Sequence, residues 1–132
     1  MTRFVLGPDT ALQLAAQRAT IPAKHKLLAP TLLRSQVLAQ LYATVQSGRC
    51  ARTEAAAQLD YLRGLQIRLL GDRVLQAVAW QVAERLEWTD TFVAEYIALT
   101  RLQADALIVQ DPRLAGAACR EVRVARLAEL LT

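Results

Sequence analysis

The segment from residue 90 to residue 114, DTFVAEYIALTRLQADALIVQDPRL, decides how the rest of the chain is interpreted. It predicts an apolar helix opened by Asp90, a short turn and a buried strand over residues 107–109. A second acid, Asp111, follows the end of that strand. Ligands bind at the carboxyl ends of the strands of a parallel sheet. Two carboxylates brought to that edge, one from a helix start and one from a strand end, can share a divalent metal ion.

The rest of the chain shows the same alternation of short apolar strands with helices. Apolar residues at intervals of three or four mark the helices, and Gly-Pro or Gly-Asp pairs end two of the strands. Strands are predicted at Arg3–Leu6, Leu27–Ala29 and Ile67–Leu70, with an exposed edge strand at Glu121–Val124. This pattern predicts an α/β protein, a three-layer α/β/α sandwich with a short, mainly parallel central sheet.

The same periodicity assigns individual side chains. Leu38 and Tyr42 are expected to widen the buried stripe of the helix that follows the second strand. Trp80 and Trp88 are expected to pack in the interior. Asp72 is expected to cap the helix that it precedes. His25 is the single histidine, and with no nearby nucleophile or acid it is expected at the surface.

Length and composition limit the class of protein. At 132 residues the chain is expected to form one domain, residues 1–132. No apolar run approaches the roughly 20 residues that cross a bilayer, and residues 1–8 do not resemble a signal peptide. The two cysteines form no metal-binding pair and are expected to be reduced. We therefore expect a cytoplasmic protein that does not enter a membrane.

The charge of the chain indicates an acidic ligand. The net charge is +4, and fourteen of the sixteen basic residues are Arg. Arg presents a planar fork that suits phosphate and carboxylate, so a nucleic acid or an acidic partner fits this composition. A GC-rich genome is the alternative explanation for the preference of Arg over Lys.

Three aspartates occupy comparable places in the predicted fold. Asp9 and Asp111 each follow a strand and Asp90 precedes a helix, and such ends converge at one edge of a parallel sheet. Like charges brought together repel, so a site that gathers them usually holds a cation. Carboxylate oxygens favour a hard divalent ion, Mg²⁺ or Mn²⁺. The alternative is that the three residues are unconnected helix caps.

Four segments in the same order carry a resemblance to a known family. They are FVLGPDT at residues 4–10, APTLLRSQVL at 29–38, DTFVAEYIAL at 90–99 and LIVQDPRL at 107–114. Together they resemble the four acid-bearing segments of the PIN domain, in particular of the VapC-type toxins of bacterial toxin–antitoxin systems. Members of that family are Mg²⁺- or Mn²⁺-dependent ribonucleases, typically dimeric and silenced by a cognate antitoxin.

The chain departs from that family at several positions. Gln36 stands where the second acid is usual, and an amide can hold a metal-bound water but brings no negative charge. Val109 replaces the Thr or Ser that usually lies two residues before the last acid. Gly7 and Pro8 precede Asp9 where the family continues as strand, which leaves the position of Asp9 open.

Two further acids are candidates for the missing charge. Glu95 lies five residues after Asp90, about 140° around a regular helix, and is not expected to point at the same site unless the helix begins later. Glu121 is the other unassigned acid near the end of the chain. The sequence leaves open whether either of them compensates for Gln36.

The resemblance implies a metal-dependent ribonuclease. Asp9, Asp90 and Asp111 would hold the Mg²⁺ or Mn²⁺ ion, and Gln36 would position water. The missing acid implies weaker metal binding and attenuated activity.

The resemblance also implies partners. Arg34 and Arg113 flank the motifs and would steer the phosphates of the RNA substrate. An antitoxin protein and a second copy of the chain are the expected protein partners. The alternative function is a catalytically inactive PIN-like module that binds RNA or a protein through its basic surface.

Overall fold

The computed structural model describes residues 1–132 as four strands and seven helices. In chain order they are β1 (Thr2–Leu6), α1 (Pro8–Gln17), β2 (His25–Pro30), α2 (Leu32–Gln46), α3 (Arg52–Gly64), β3 (Ile67–Leu70), α4 (Arg73–Arg85), α5 (Phe92–Gln103), β4 (Ala106–Ile108), α6 (Pro112–Ala118) and α7 (Leu127–Leu131). Not one of the helices combines the length and the apolar character needed to span a membrane.

The strands form one parallel sheet in the order β3-β2-β1-β4. Successive side chains of a strand point to opposite faces, and the buried residues divide accordingly. Val5, Leu28 and Leu107 belong to a core that they share with α4 and α5. Phe4 and Ile108 belong to a second core that includes residues of α1 and α7. The predicted three-layer sandwich with a parallel sheet is therefore confirmed.

The segment Glu121–Val124, predicted as an exposed edge strand, is not a strand. Val124 makes only an isolated parallel bridge with Leu107. The amide of Leu107 donates to the carbonyl of Arg123, and the amide of Ala125 donates to the carbonyl of Leu107. The chain has only eight residues between the end of α6 and the start of α7, 119–126, and the first of them are turn. Too little chain remains for a longer ladder.

Several predicted core side chains are in fact exposed. Leu38, Tyr42 and Trp80 are 55%, 65% and 65% exposed. The helix α2 buries one narrow stripe instead of a wide face, and its fully buried residues are Leu33, Val37 and Leu41. Trp88 does pack against the core, as predicted.

His25 does not have the free surface position predicted for it. Its ring packs edge-on against Phe4, with 5.2 Å between ring centroids. Both ring nitrogens are buried and have no hydrogen-bond partner. The residue begins β2, so its side chain lies at the edge of the sheet opposite to the predicted carboxylate site.

Candidate functional site

Gly7 allows the end of β1 to lie directly against the end of β4. Its amide donates to the carbonyl of Ile108 at 3.0 Å, so the strands remain hydrogen-bonded beyond β1. A Cβ atom at this position would lie 2.6 Å from a methyl group of Val109, which is closer than real Cβ contacts. Only glycine permits this approach. The Gly-Pro pair therefore keeps Asp9 beside β4 and does not displace it.

The carboxylate of Asp9 is bound by the main chain that follows β4. Its Oδ2 atom accepts hydrogen bonds from the amides of Gln110 at 2.8 Å and Asp111 at 2.9 Å. Its Oδ1 atom accepts from the amide of Thr10 at 2.7 Å. The N-cap of α1 is Gly7, and Asp9 lies within the first turn. The capping alternative is therefore wrong for Asp9, which instead joins two strand ends.

Asp111 lies next to Asp9 and also caps a helix. Its own amide is the donor that reaches Asp9, so the two residues are neighbours at the carboxyl edge. Its Oδ1 atom accepts from the amide of Arg113 at 2.9 Å and caps α6. The structure thus brings these two predicted residues together, and Asp111 keeps one carboxylate oxygen free of protein hydrogen bonds.

Asp90 does not share hydrogen bonds with the other two aspartates. It is exposed, and its Oδ1 atom accepts from the amide of Phe92 at 3.1 Å. The helix α5 begins at Phe92, with Thr91 as its N-cap, so Asp90 lies before the helix. The prediction that Asp90 opens the helix is therefore wrong by two residues. Its predicted role as a metal ligand remains a prediction.

The late start of α5 gives Glu95 a different place from the one that the sequence suggested. Glu95 lies in the first turn of the helix, and an angle counted from Asp90 does not apply to it. Partial burial raises the pKa of the Glu95 carboxyl. Helix starts are uncertain by one or two residues when read from sequence. That uncertainty is why the sequence left open whether Glu95 compensates for Gln36.

Tyr96 follows Glu95 in α5 and is hydrogen-bonded to Gln36 of α2. The residue is buried, and its hydroxyl donates to the Oε1 atom of Gln36 at 2.6 Å. Burial raises the pKa of the Tyr96 phenol, and the negative charges of Glu95 and then Asp9 raise it further. Glu95 is the neighbour of Tyr96 in α5, whereas Asp9 comes from a different element of the fold. The helices α2 and α5 and the end of β1 converge here.

Glu121 forms ion pairs with two arginines. Its carboxylate pairs with Arg85 at 2.6 Å and lies 3.7 Å from Arg101. The hydrogen bond from Arg85 lowers the pKa of the Glu121 carboxyl, and the charges of Arg85 and Arg101 add to this. Two cations already neutralise this acid, so it does not supply the charge missing at Gln36.

The two predicted phosphate-steering residues lie in different places. Arg113 is exposed in the first turn of α6, beside Asp111. Arg34 lines a groove of about 500 Å³ together with Val37, Leu59 and Leu69. That groove lies between α2, α3 and the edge strand β3. The position of Arg113 fits a ligand at the carboxyl edge, whereas Arg34 faces a second surface.

The carboxyl edge offers only oxygen donors. The carboxylates of Asp9, Asp111 and Glu95, the amide of Gln36 and the hydroxyl of Tyr96 form this set, which suits Mg²⁺ or Mn²⁺. No three His, Cys, Asp or Glu side chains are grouped closely enough to hold a metal ion among themselves. Mg²⁺ is commonly bound through one or two carboxylates and retains several waters, so the donor chemistry fits such an ion.

No protein-family model and no curated protein matches the chain. The structure is similar to the crystal structure of PAE2754 from Pyrobaculum aerophilum, with a TM-score of 0.73. The match covers 98% of this chain and 94% of that chain, at 18% sequence identity. At this identity the likeness concerns the fold alone, so this chain has the α/β architecture of that archaeal protein.

Proposed function

We propose that the chain is a VapC-like PIN-domain ribonuclease that hydrolyses RNA phosphodiester bonds with a divalent metal ion. One observation carries the proposal. Asp9, in the first turn of α1, accepts a hydrogen bond from the main-chain amide of Asp111 after β4, and the Tyr96 hydroxyl of α5 donates to Gln36 of α2. Acids from the β1–α1 junction and from the end of β4 are therefore neighbours at one edge of the sheet, although they are about 100 residues apart in sequence.

The residues of this edge have separable roles in the proposal. Asp9 and Asp111 would hold Mg²⁺ or Mn²⁺, with Glu95 reaching it directly or through water. Such an ion stabilises the charge that develops on phosphate and lowers the pKa of bound water. Gln36, oriented by the Tyr96 hydroxyl, positions water, and Arg113 attracts the phosphate.

Glu95 replaces Asp90 as the acid that α5 contributes. Glu95 is half-buried and its charge reaches Tyr96, whereas Asp90 is exposed and its only side-chain hydrogen bond goes to Phe92. In this proposal Glu95 supplies the third negative charge of the site. Because Gln36 is uncharged, the site has three acids where the PIN family usually has four, and we expect weak metal binding.

The test is RNA cleavage with Mn²⁺ or Mg²⁺ by four variants. Asp9→Asn, Asp111→Asn and Glu95→Gln are expected to lower cleavage by about 100-fold or more, the scale of losing a catalytic group. Asp90→Asn is the matched control and should change cleavage by less than about threefold, since it removes only the charge of an exposed side chain outside the helix.

Two results would contradict the assignment. A large loss in Asp90→Asn with normal cleavage by Glu95→Gln would return the role of α5 to Asp90. Equal cleavage by the parent and all four variants would separate these residues from catalysis altogether. Thermal unfolding of each variant without metal separates a lost role from a lost fold.

The second candidate is a catalytically inactive PIN-like module. Three main-chain amides already bind the carboxylate of Asp9, and Gln36 brings no charge, which favours a site that has lost its ion. This module would bind RNA in the presence of EDTA. Absence of Mn²⁺ binding at millimolar concentration, measured by titration calorimetry, would favour it over the nuclease.

The proposal includes protein partners and a cytoplasmic location. The groove between α2, α3 and β3 is mostly apolar, and the large apolar side chains of Leu38 and Tyr42 are exposed on the same helix, α2. An amphipathic helix of an antitoxin fits such a groove. A second copy of the chain is the other proposed partner, and size measurement with and without the antitoxin tests both.

A further inference from the structure

The sheet has a second concave surface at the opposite edge, where its strands begin. We call it the amino-edge groove and define it by Arg3, Lys26, Arg68, Gln66 and Gln103, which line a space of about 610 Å³. Sites for small ligands commonly measure about 300–1,000 Å³. The groove lies across the sheet from Asp9 and Asp111, so it is separate from the proposed metal site.

Strand register places the three cations on one face. Arg3 of β1 lies opposite Lys26 of β2, and Leu28 of β2 lies opposite Arg68 of β3. Lys26 and Leu28 are two residues apart and therefore point to the same face of the sheet. The cations come from three adjacent strands, which span about 10 Å across the sheet, and Arg68 lies two residues further along its strand than Lys26.

None of these cations is neutralised within the protein. The side-chain ion pairs use other basic residues, namely Arg18, Arg63, Arg85, Arg101 and Arg123. No acidic side chain lines the groove. Asp105 approaches Arg3 only through the main chain, since its carboxylate accepts from the Arg3 amide at 2.8 Å. Three like charges thus share one groove without forming an ion pair.

The remaining lining is suited to a phosphorylated organic molecule. Gln66 and Gln103 add amide donors, and Met1 provides an exposed apolar side chain. Arg guanidinium groups bind phosphate oxygens in pairs, and Lys adds a point charge. Separate solvated cations on a convex surface would not share two amides and an apolar side chain in this way.

From this arrangement we infer that the amino-edge groove binds phosphate groups, carried by single-stranded RNA or by a free nucleotide. The site requires no metal ion and rests on Arg3, Lys26 and Arg68. The inference therefore does not depend on the proposed nuclease activity. If that activity also holds, the groove gives RNA a second point of attachment across the sheet.

The test measures binding in EDTA, with fluorescein-labelled ten-nucleotide single-stranded RNA and with ADP as separate probes. The groove variant is Arg3→Gln/Lys26→Gln/Arg68→Gln. The control is Arg52→Gln/Arg73→Gln/Arg120→Gln, which removes the same charge from exposed residues elsewhere. Anisotropy follows the RNA, and titration calorimetry follows ADP.

The groove variant is expected to lose more than about tenfold in RNA affinity. The slope of log affinity against log salt concentration should become shallower by about one unit for each cation removed. The control should change affinity by less than about threefold. Binding of RNA that ADP does not displace identifies the phosphodiester chain as the ligand. Binding of ADP, with displacement of RNA, identifies a nucleotide.

Two outcomes would overturn the inference. Equal losses in the groove variant and the control would show that binding follows net charge alone. Failure of the parent to bind either probe at millimolar concentration would remove the site. Each variant is checked by thermal unfolding. The single change Lys26→Gln, in an exposed side chain, provides the same comparison if the triple variant does not fold.

Discussion

The two edges of the sheet differ in how their charged side chains are held. At the carboxyl edge, three main-chain amides bind the Asp9 carboxylate, and the Tyr96 hydroxyl binds Gln36. At the amino edge, Arg3, Lys26 and Arg68 have no ion-pair partner. The carboxyl edge is preorganised by its own hydrogen bonds, whereas the three cations of the amino edge form no ion pair within the protein.

The direction of the strands explains this difference. Each strand of a parallel sheet leaves the carboxyl edge through a short junction into a helix, where free amides are available to bind carboxylates. Asp9 and Asp111 lie at two such junctions. At the amino edge the chain arrives from loops, and side chains of strand residues reach solvent. Asp9 is therefore fixed at one edge, and Arg3, Lys26 and Arg68 are without ion-pair partners at the other.

The largest expected effect comes from a substitution that removes the hydrogen bonds of Asp9. Asp9→Ala should lower the free energy of unfolding by about 2–3 kcal/mol, because hydrogen bonds to a charged group contribute about 1.5–3 kcal/mol and three amides lose their acceptor. The matched change at the other edge is Asp105→Ala, whose carboxylate accepts only from Arg3 and is exposed. It should cost about 1 kcal/mol or less. Urea unfolding in EDTA measures both.

Equal costs for Asp9→Ala and Asp105→Ala would contradict the contrast between the edges. It would mean that the Asp9 hydrogen bonds are no stronger in solution than a single exposed one. Asp9→Asn should fall between the parent and Asp9→Ala, since an amide keeps one acceptor oxygen.

The second prediction changes charge at the carboxyl edge. Gln36→Glu adds a carboxylate beside Tyr96 and should raise Mn²⁺ affinity about tenfold, since affinity for hard cations rises with the number of charged ligands. Gln46→Glu is the control, because it adds the same charge at the far end of α2. Titration calorimetry measures both, and equal affinities would mean that Gln36 does not line the site.

The sequence was sufficient to predict the sheet and the meeting of Asp9 with Asp111. Apolar strands separated by helices specify a parallel sheet, and strand ends then converge by geometry. The position of Glu95 could not be predicted, because the helix begins at Phe92 and not at Asp90, and a shift of two residues changes which side chain faces the site. Periodicity also failed for Leu38 and Tyr42.

The amino-edge groove could not be predicted for a different reason. Arg3, Lys26 and Arg68 lie on three strands separated by helices, and only the strand order and the register bring them together. The alternation within one strand shows which face a residue takes, but not which strand is its neighbour. Excess Arg indicated an acidic ligand without giving its location.

The third prediction concerns the amino edge. His25→Leu should raise the free energy of unfolding by about 1 kcal/mol, because it removes two buried nitrogens that have no hydrogen-bond partner. Lys24→Ala, an exposed neighbour, should have little effect. Thermal unfolding measures both. Lower stability of His25→Leu would mean that these nitrogens find partners in solution.

The smallest expected effect compares two acids whose pKa values move in opposite directions. Burial raises the pKa of Glu95 above its usual 4.5, so its contribution to stability is present below about pH 4.5 and is lost as pH rises through the higher folded value. Hydrogen bonding to Arg85 lowers the pKa of Glu121, so its contribution is present above about pH 4.5 and is lost as pH falls below that value.

The variants Glu95→Gln and Glu121→Gln should therefore change stability with opposite pH dependence. As the pH rises from 4 to 7, the stability of Glu95→Gln should rise relative to that of the parent, and the stability of Glu121→Gln should fall relative to it. Each change should stay below about 1 kcal/mol, because solvent screens both side chains in part. Thermal unfolding across this pH range measures the difference. If both variants followed the parent at every pH, Glu95 would be solvated like a surface acid, and its place in the preorganised carboxyl edge would be lost.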